Sequence, residues 1–417
     1  MASATQIAPK ERGLRCCSNI RSMLWLLLAA LLIAVVCIHR ESKRWIDHND
    51  DDDDQTAKSS LSNCNLFSGK WVYDDNSHPL YREQTCSFKF DGLACERSGR
   101  KNLRYQHWRW QPNACDLPRF NAMKMVESLR NKRFLFVGDS LTRSQWASMA
   151  CLLESPIPSG QKSVYPDGSL AVFKMKIKLM KGYNATVEHY WAPYLVESSS
   201  DHPIIHSVKS EQIVRVKAIE KHGKHWRDAD ILVFNTFLWW RSRTKFKVLW
   251  GSFKSPNKVY EEIEMHRAVE MALDTWSDWL ETHVNPSKTK IYWVSMSPTH
   301  ERGEEWGRPR GETCYNETEP IWIEGYQGSE SDPRIMQLVE AAIDRLGRKG
   351  LKVQLINITQ LSEYRKDAHT SINRKYWGNL TEEQLADPRS YADCVHWCVP
   401  GLPDVWNELL YAYIFHF

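Results

Sequence analysis

Arg133-Phe134-Leu135-Phe136-Val137-Gly138-Asp139-Ser140 decides how this chain is read. Four apolar residues in a row, stopped by a glycine, have the length of a short strand buried on both faces. Directly behind them Trp146, Met149, Ala150 and Leu153 recur at helical spacing, so the segment reads as strand, tight turn, helix. The same short apolar run returns at Ile231-Leu232-Val233-Phe234, Ile291-Tyr292-Trp293-Val294 and Val353-Gln354-Leu355-Ile356. Between these runs, Met265, Val269, Ala272, Trp276 and Leu280 trace one helical stripe. Ile335, Leu338, Val339, Ala342 and Leu346 trace another behind the cap signal Ser331-Asp332-Pro333, with Gly347 or Gly350 to end it. Short buried strands alternating with helices predict an α/β domain over 117–417, its sheet mostly parallel and flanked by helices. No internal repeat is present.

Toward the N-terminus the pattern changes. Cys64 to Cys115 contains four cysteines, poor periodicity and a Trp108-Arg109-Trp110-Gln111-Pro112 cluster, so 63–116 reads as a loop-rich, disulfide-stapled module. It is too small to bury a good core alone and is expected to pack on the larger domain. Before it, 40–62 carries Asp50 to Asp54 and small polar residues, a solvated stem. Met23 to Ile38 is an uncharged apolar run behind Lys10, Arg12, Arg15 and Arg21. Roughly 17–25 apolar residues span a bilayer, and flanking residues extend this run toward that length. No small-residue cleavage site follows it, because His39, Arg40 and Glu41 come next. The reading is a transmembrane signal anchor at 23–39 with a cytosolic tail, 1–22, the competitor being a cleaved signal peptide.

Two features put the remainder on the lumenal side. Four glycosylation triplets, starting at Asn184, Asn316, Asn357 and Asn379, all lie beyond the anchor. So do eight cysteines, Cys64, Cys86, Cys95, Cys115, Cys151, Cys314, Cys394 and Cys398, an even number that suggests four disulfides of unknown pairing. The formal net charge of +4 comes with no basic stripe, which argues against nucleic acid. The 19 tryptophans suit a protein that handles carbohydrate, although tryptophan also fills large cores.

Gly138-Asp139-Ser140 stands at the carboxyl end of a strand, where open α/β sheets bind ligands. The serine hydroxyl would project above the sheet, and the free N–H groups of the new helix can stabilise an oxyanion. With Thr142 in place of a second glycine this is not the G-x-S-x-G elbow. A serine nucleophile needs a base and a group to orient that base. Asp393 and His396, three residues apart, supply both if they share one turn, and Cys394 and Cys398 can lock the segment with disulfides. A metal site built from Asp393, Cys394, His396 and Cys398 is the competing reading, and no metal is expected.

Gly-Asp-Ser after the first strand, paired with Asp-x-x-His near the C-terminus, resembles the SGNH/GDSL hydrolases. More narrowly, the chain resembles the plant trichome birefringence-like family of polysaccharide O-acetyltransferases over roughly Asn63 to Phe417. The likeness rests on Cys64-Asn65-Leu66-Phe67-Ser68-Gly69-Lys70-Trp71-Val72, the Trp108–Pro112 cluster, Leu135 to Gln145, and Asp393 to Asn407. Phe234-Asn235-Thr236-Phe237-Leu238-Trp239-Trp240 and the stretch from Trp306 to Thr318 look like the xylan-acting branch. Ser144 and Arg241 depart from the more usual Asn and Met, which bears on substrate preference.

The resemblance implies an SGNH-like fold with Ser140 as nucleophile, His396 as general base and acid, and Asp393 orienting it. Gly138 and Asn235 are implied at the oxyanion site, Arg143 against donor or sugar oxygens, and Trp239 with Trp240 as a sugar platform. It further implies acetyl transfer to xylan or a related hemicellulose through an acetyl-serine intermediate, in the Golgi membrane as a single-pass type II protein. No bound cofactor is expected. The acetyl donor would be acetyl-CoA or an acetylated carrier delivered by another membrane protein. The rival functions are a polysaccharide acetylesterase with the same triad and a non-catalytic wall-polysaccharide-binding protein.

Overall fold

Alternating apolar residues pair Gly69–Tyr73 (β1) with Trp108–Pro112 (β2) as an antiparallel ribbon, Trp71 opposite Trp110. The two buried indoles meet edge to face and send their N–H groups to the carbonyls of Leu361 and Leu66. The computed structural model describes residues 64–88, 90–177, 183–205, 211–376 and 378–417, Leu61, and nine residues between Trp25 and Val36. Residues 64–415 form one compact unit, and 1–63 with the last two residues form another.

Asn121 accepts from the N–H of Lys124 and caps Ala122–Ser128 (α1). The quoted stretch follows as Arg133–Gly138 (β3) and Ser140–Glu154 (α2). Lys162–Asp167 (β4), Leu170–Ile177 (β5) and Tyr183–Trp191 (β6) come next, then Glu197–Ser198 (β7), Ile213–Arg215 (β8) and Ile231–Phe234 (β9). Lys245–Trp250 (β10) and Val259–Glu264 (β11) lead into Met265–His283 (α3), followed by Lys290–Val294 (β12). Pro333–Arg348 (α4), Val353–Ile356 (β13), His369–Ser371 (β14), Asp393–Trp397 (β15) and Leu402–Phe415 (α5) complete the order.

The main sheet runs β13-β12-β9-β3-β6-β5-β4. Its first five strands are parallel, and β5 and β4 add an antiparallel edge. This is the mixed, mostly parallel α/β arrangement that the strand and helix periods predict. Because β3 has parallel neighbours on both sides and helices over both faces, its apolar run is continuous rather than alternating. Leu135, Val137, Leu232 and Phe234 share one buried cluster with Trp276 and Leu280 of α3 and Val339 and Leu346 of α4. The period of two sends Phe134, Phe136 and Val233 to the opposite face. Of the two glycines offered for the end of α4, Gly347 stays helical. Gly350 takes the left-handed turn at φ +82° while Leu351 N–H returns to the carbonyl of Leu346.

All eight cysteines from Cys64 onward are paired, as Cys64–Cys115, Cys86–Cys151, Cys95–Cys398 and Cys314–Cys394. Only one of the four staples the cysteine-rich module to itself. Two others tie it to α2 and to the segment just past β15, and Trp71, Arg100 and Tyr81 bond to Leu361, His369 and Asp404 of the larger domain.

Of the anchor expected at 23–39, Trp25, Leu26, Leu28, Ala29, Leu31, Leu32, Ile33, Val35 and Val36 are helical and exposed. The remainder of that segment, the tail 1–22 and the acidic stretch Asp50–Asp54 of the stem lie outside the described residues. Among the described residues no helix is long and apolar enough to cross a membrane.

Candidate active site

Gly138 ends β3 where there is no room for a side chain. A Cβ there would lie 2.3 Å from the Asn235 carbonyl oxygen and 2.2 Å from Thr142 Oγ1. Glycine lets the turn close, and Asp139 then caps α2 by accepting from the Leu141 N–H at 2.9 Å. Ser140 is thereby the first residue of the helix, and its own N–H has no acceptor within the helix. Buried His189 donates from Nε2 to the Asp139 carbonyl at 3.2 Å and steadies the turn from β6.

The candidate base comes from the other end of the chain. Asp393 and His396 lie on strand β15 rather than on a helical turn, a correction to the simplest reading of their spacing. Their carboxylate and imidazole still meet, because Asp393 Oδ1 accepts from the N–H groups of Val395 and His396 and curls the backbone around itself. His396 Nδ1 then lies 2.9 Å from Asp393 Oδ2, and His396 Nε2 lies 2.7 Å from Ser140 Oγ, across 256 positions of sequence. The disulfides Cys314–Cys394 and Cys95–Cys398 bracket His396 on both sides. With both sulfurs oxidised, neither Cys394 nor Cys398 supplies a thiolate, and the competing metal set loses two of its four members.

Electrostatically the site favours a neutral imidazole. Burial, and after it the Arg374 guanidinium, brings the His396 pKa down to about 4, against an opposing pull from Asp139. Burial pushes the Asp139 carboxyl up to about 6, and its Oδ2 is buried with no hydrogen-bond partner among the described residues. An ionised carboxylate can only accept, so Asp393 holds the proton on Nδ1 and leaves the Nε2 lone pair toward Ser140.

Ser140, His396, Arg143, Ser144 and Arg374 line one cavity of about 280 Å³, closed on one side by Phe90, Asp91, Gly92 and Leu93 of the cysteine-rich module. A hollow of about 550 Å³ beside Ile343, Gly347 and Val353 is larger but holds no nucleophile and base. Arg143, half-buried, has its pKa lowered by burial and forms no ion pair with a carboxylate among the described residues. Arg374 pairs with Asp393 on the same oxygen that takes His396. Neither Arg374 nor Phe90–Leu93 stands out in the sequence, because no motif surrounds them.

Three expected roles do not fit. The Asn235 amide gives both hydrogens to the carbonyls of Val294 and Ser295, at 3.0 and 2.8 Å, tying the ends of β9 and β12. It has no donor left for an oxyanion. Trp239 and Trp240 are buried in an edge-to-face cluster with Trp191, Tyr194 and Phe246, and Trp240 donates to Thr236 Oγ1. They are core, not a sugar platform. The two departures have local jobs. Ser144 Oγ donates to the Ser140 carbonyl, and Arg241 bridges Thr299, Glu301 and Glu330.

Comparison with known proteins agrees with this architecture. Residues 117–413 match PC-Esterase, the GDSL/SGNH-like acyl-esterase family found in Pmr5 and Cas1p, and residues 62–116 match the PMR5 N-terminal domain. The chain belongs to this family. Among its relatives, protein trichome birefringence-like 34 of Arabidopsis thaliana is 52% identical over 391 residues, 93% of each chain. Xylan O-acetyltransferase 14 of Oryza sativa subsp. japonica is 50% identical over 86% of this chain and 79% of its own. Xylan O-acetyltransferase 12 of the same plant is 49% identical over 85% and 70%. With such relatives along most of its length, the chain is an acetyltransferase.

Proposed function

We propose that this protein O-acetylates xylosyl residues of xylan by a double displacement at Ser140. The observation that carries the proposal is the Ser140–His396–Asp393 chain of 2.7 and 2.9 Å contacts, in a protein about half identical to named xylan O-acetyltransferases. Ser140 Oγ attacks the carbonyl carbon of the acetyl donor while His396 Nε2 takes the hydroxyl proton. The oxyanion accepts from the Ser140 N–H at the start of α2. Collapse breaks the bond to the donor's leaving group, which leaves with the proton from His396. A sugar hydroxyl then attacks the acetyl-serine and gives its proton to His396, and the proton returns to Ser140 as the new ester departs. Asp393 keeps the imidazole in one tautomer and stabilises the imidazolium.

Arg143, lining the cavity without a carboxylate partner among the described residues, is suited to hold donor or sugar oxygens. The donor is acetyl-CoA or an acetylated carrier supplied by a membrane partner. The enzyme works in the Golgi lumen, anchored through 23–39. Support comes from four lumen-compatible disulfides and from three glycosylation triplets whose asparagines are exposed. The test is acetyl transfer to xylo-oligosaccharides by the full-length protein, read by mass spectrometry, with Ser140→Ala alongside. Serine-dependent product supports the proposal. Serine-dependent loss of acetyl groups from acetylated xylan, without transfer, refutes it in favour of an esterase.

A further inference from the structure

One wall of the catalytic cavity is foreign to the α/β domain. Phe90, Asp91, Gly92 and Leu93 belong to the cysteine-rich module, yet they line the same space as Ser140, Arg143 and His396. The segment is held to the catalytic machinery at several points. Cys95 is bonded to Cys398, two residues beyond His396. The Val399 N–H donates to the Leu93 carbonyl at 3.0 Å. The Lys375 N–H donates to the Asp91 carbonyl at 3.1 Å, and its ammonium pairs with the Asp91 carboxylate at 2.9 Å. Positions 91 and 93 are thus pinned to the chain just after Arg374 and just after His396.

Gly92 sits between those two pins. Unlike Gly138, it is not required by packing, since a Cβ there would meet nothing within 4 Å. Nor is it required by the backbone, because its φ lies outside the left-handed region. What the missing side chain provides is open space at a residue that lines the same cavity as Ser140, which allows a ligand to approach the backbone closely. The cavity, about 280 Å³, is larger than an acetyl group fills, so a second reactant has room there. Its surroundings suit a pyranose ring. Half-buried Phe90, braced edge-on by Trp146, and Leu93 offer apolar surface to a C–H face, while Arg143 offers polar contacts to hydroxyls.

We propose that Phe90–Leu93 forms the acceptor subsite, with Gly92 setting how closely a sugar ring approaches Ser140. This rests on the acetyl-transfer reading above. The experiment takes the full-length protein with p-nitrophenyl acetate as donor and xylohexaose as acceptor, and compares wild type with Gly92→Ala and Gly92→Val. The nitrophenol burst reports acetyl-serine formation, and mass spectrometry reports transfer. Transfer should fall with side-chain size, at least tenfold further than the burst in Gly92→Val, with the melting temperature preserved. Equal losses in burst and transfer, or no loss in either, would overturn the proposal. A wild type that shows the burst but never acetylates xylohexaose refutes the functional reading instead. The subsite is then judged by calorimetric titration of xylohexaose into Ser140→Ala. Binding weakened tenfold by added Gly92→Val upholds it, whereas unaltered binding or none at all overturns it.

Discussion

Replacing Asp393 by Asn removes one charge and leaves the shape of the side chain almost unchanged, so its effect isolates what the carboxylate does. Four donors converge on this group. Oδ1 accepts from the N–H groups of Val395 and His396 at 3.0 and 2.9 Å, and Oδ2 takes His396 Nδ1 and the Arg374 guanidinium. In the Asn variant the amide oxygen is held on the Oδ1 side, because the opposite orientation would set its NH2 against two backbone donors. The NH2 group therefore faces His396 Nδ1 and Arg374. It can donate only to a bare Nδ1, so the imidazole proton moves to Nε2 and faces Ser140 Oγ, where the nucleophile needs an acceptor. In serine hydrolases this error of tautomer lowers kcat by roughly 10⁴-fold, which corresponds to about 5 kcal/mol of transition-state stabilisation. The same order of loss is expected here, with the fold intact because the Oδ1 contacts survive. The assay is the single-turnover rate of nitrophenol release from p-nitrophenyl acetate, with circular dichroism melts in parallel. A loss under tenfold in a well-folded Asn variant would show that Asp393 does not set the tautomer, and the triad argument would fail.

Other outcomes follow from the same geometry. The proposed base works when neutral, and burial with Arg374 lowers His396 to about 4, so kcat/KM should hold as pH falls through 6 and 5 and drop only near 4. Removing the cation with Arg374→Gln should raise the imidazole pKa and move that acid limb to higher pH; pH–rate profiles of both proteins check it. Gly138→Ala places a methyl group against the Asn235 carbonyl and the Thr142 hydroxyl, and overpacking of this kind costs about 1–3 kcal/mol. Urea unfolding that matches wild type would refute the account of that turn. Glycopeptide mapping should find glycans at exposed Asn184, Asn316 and Asn379 but not at Asn357. The Asn357 side-chain Oδ1 accepts from the Ser295 hydroxyl and the Thr359 N–H, and the Thr359 hydroxyl is spent on the Met296 carbonyl. A glycan on Asn357 would contradict this.

Much of the α/β framework was legible because its signals are local. The runs at 134–137, 231–234, 291–294 and 353–356 are strands of one sheet, and the stripes beginning at Met265 and Ile335 are helices over it. Periodicity reports which side of an element is buried and needs no knowledge of its partner. Ser140, Asp393 and His396 could be singled out for a related reason, since each sits in a short motif whose residue types suit one chemistry, and the structure brings the three side chains together. The readings of Asn235, Trp239 and Trp240 failed because composition cannot tell a side chain facing a cavity from one committed to neighbours.

By itself, then, the sequence determined the period of each strand and helix, the turn that presents Ser140, and an even cysteine count from Cys64 onward. Only the tertiary structure decided the cysteine pairing, and that two of the four bridges clamp the module onto the catalytic domain. It alone brought Arg374 to the carboxylate of Asp393 and Phe90–Leu93 to the mouth of Ser140. The physical reason is distance along the chain. Local periods arise from the few residues of one turn or pleat. Contacts across 256 positions, such as Ser140 to His396, exist only once the sheet, the helices and the disulfides have packed every segment between.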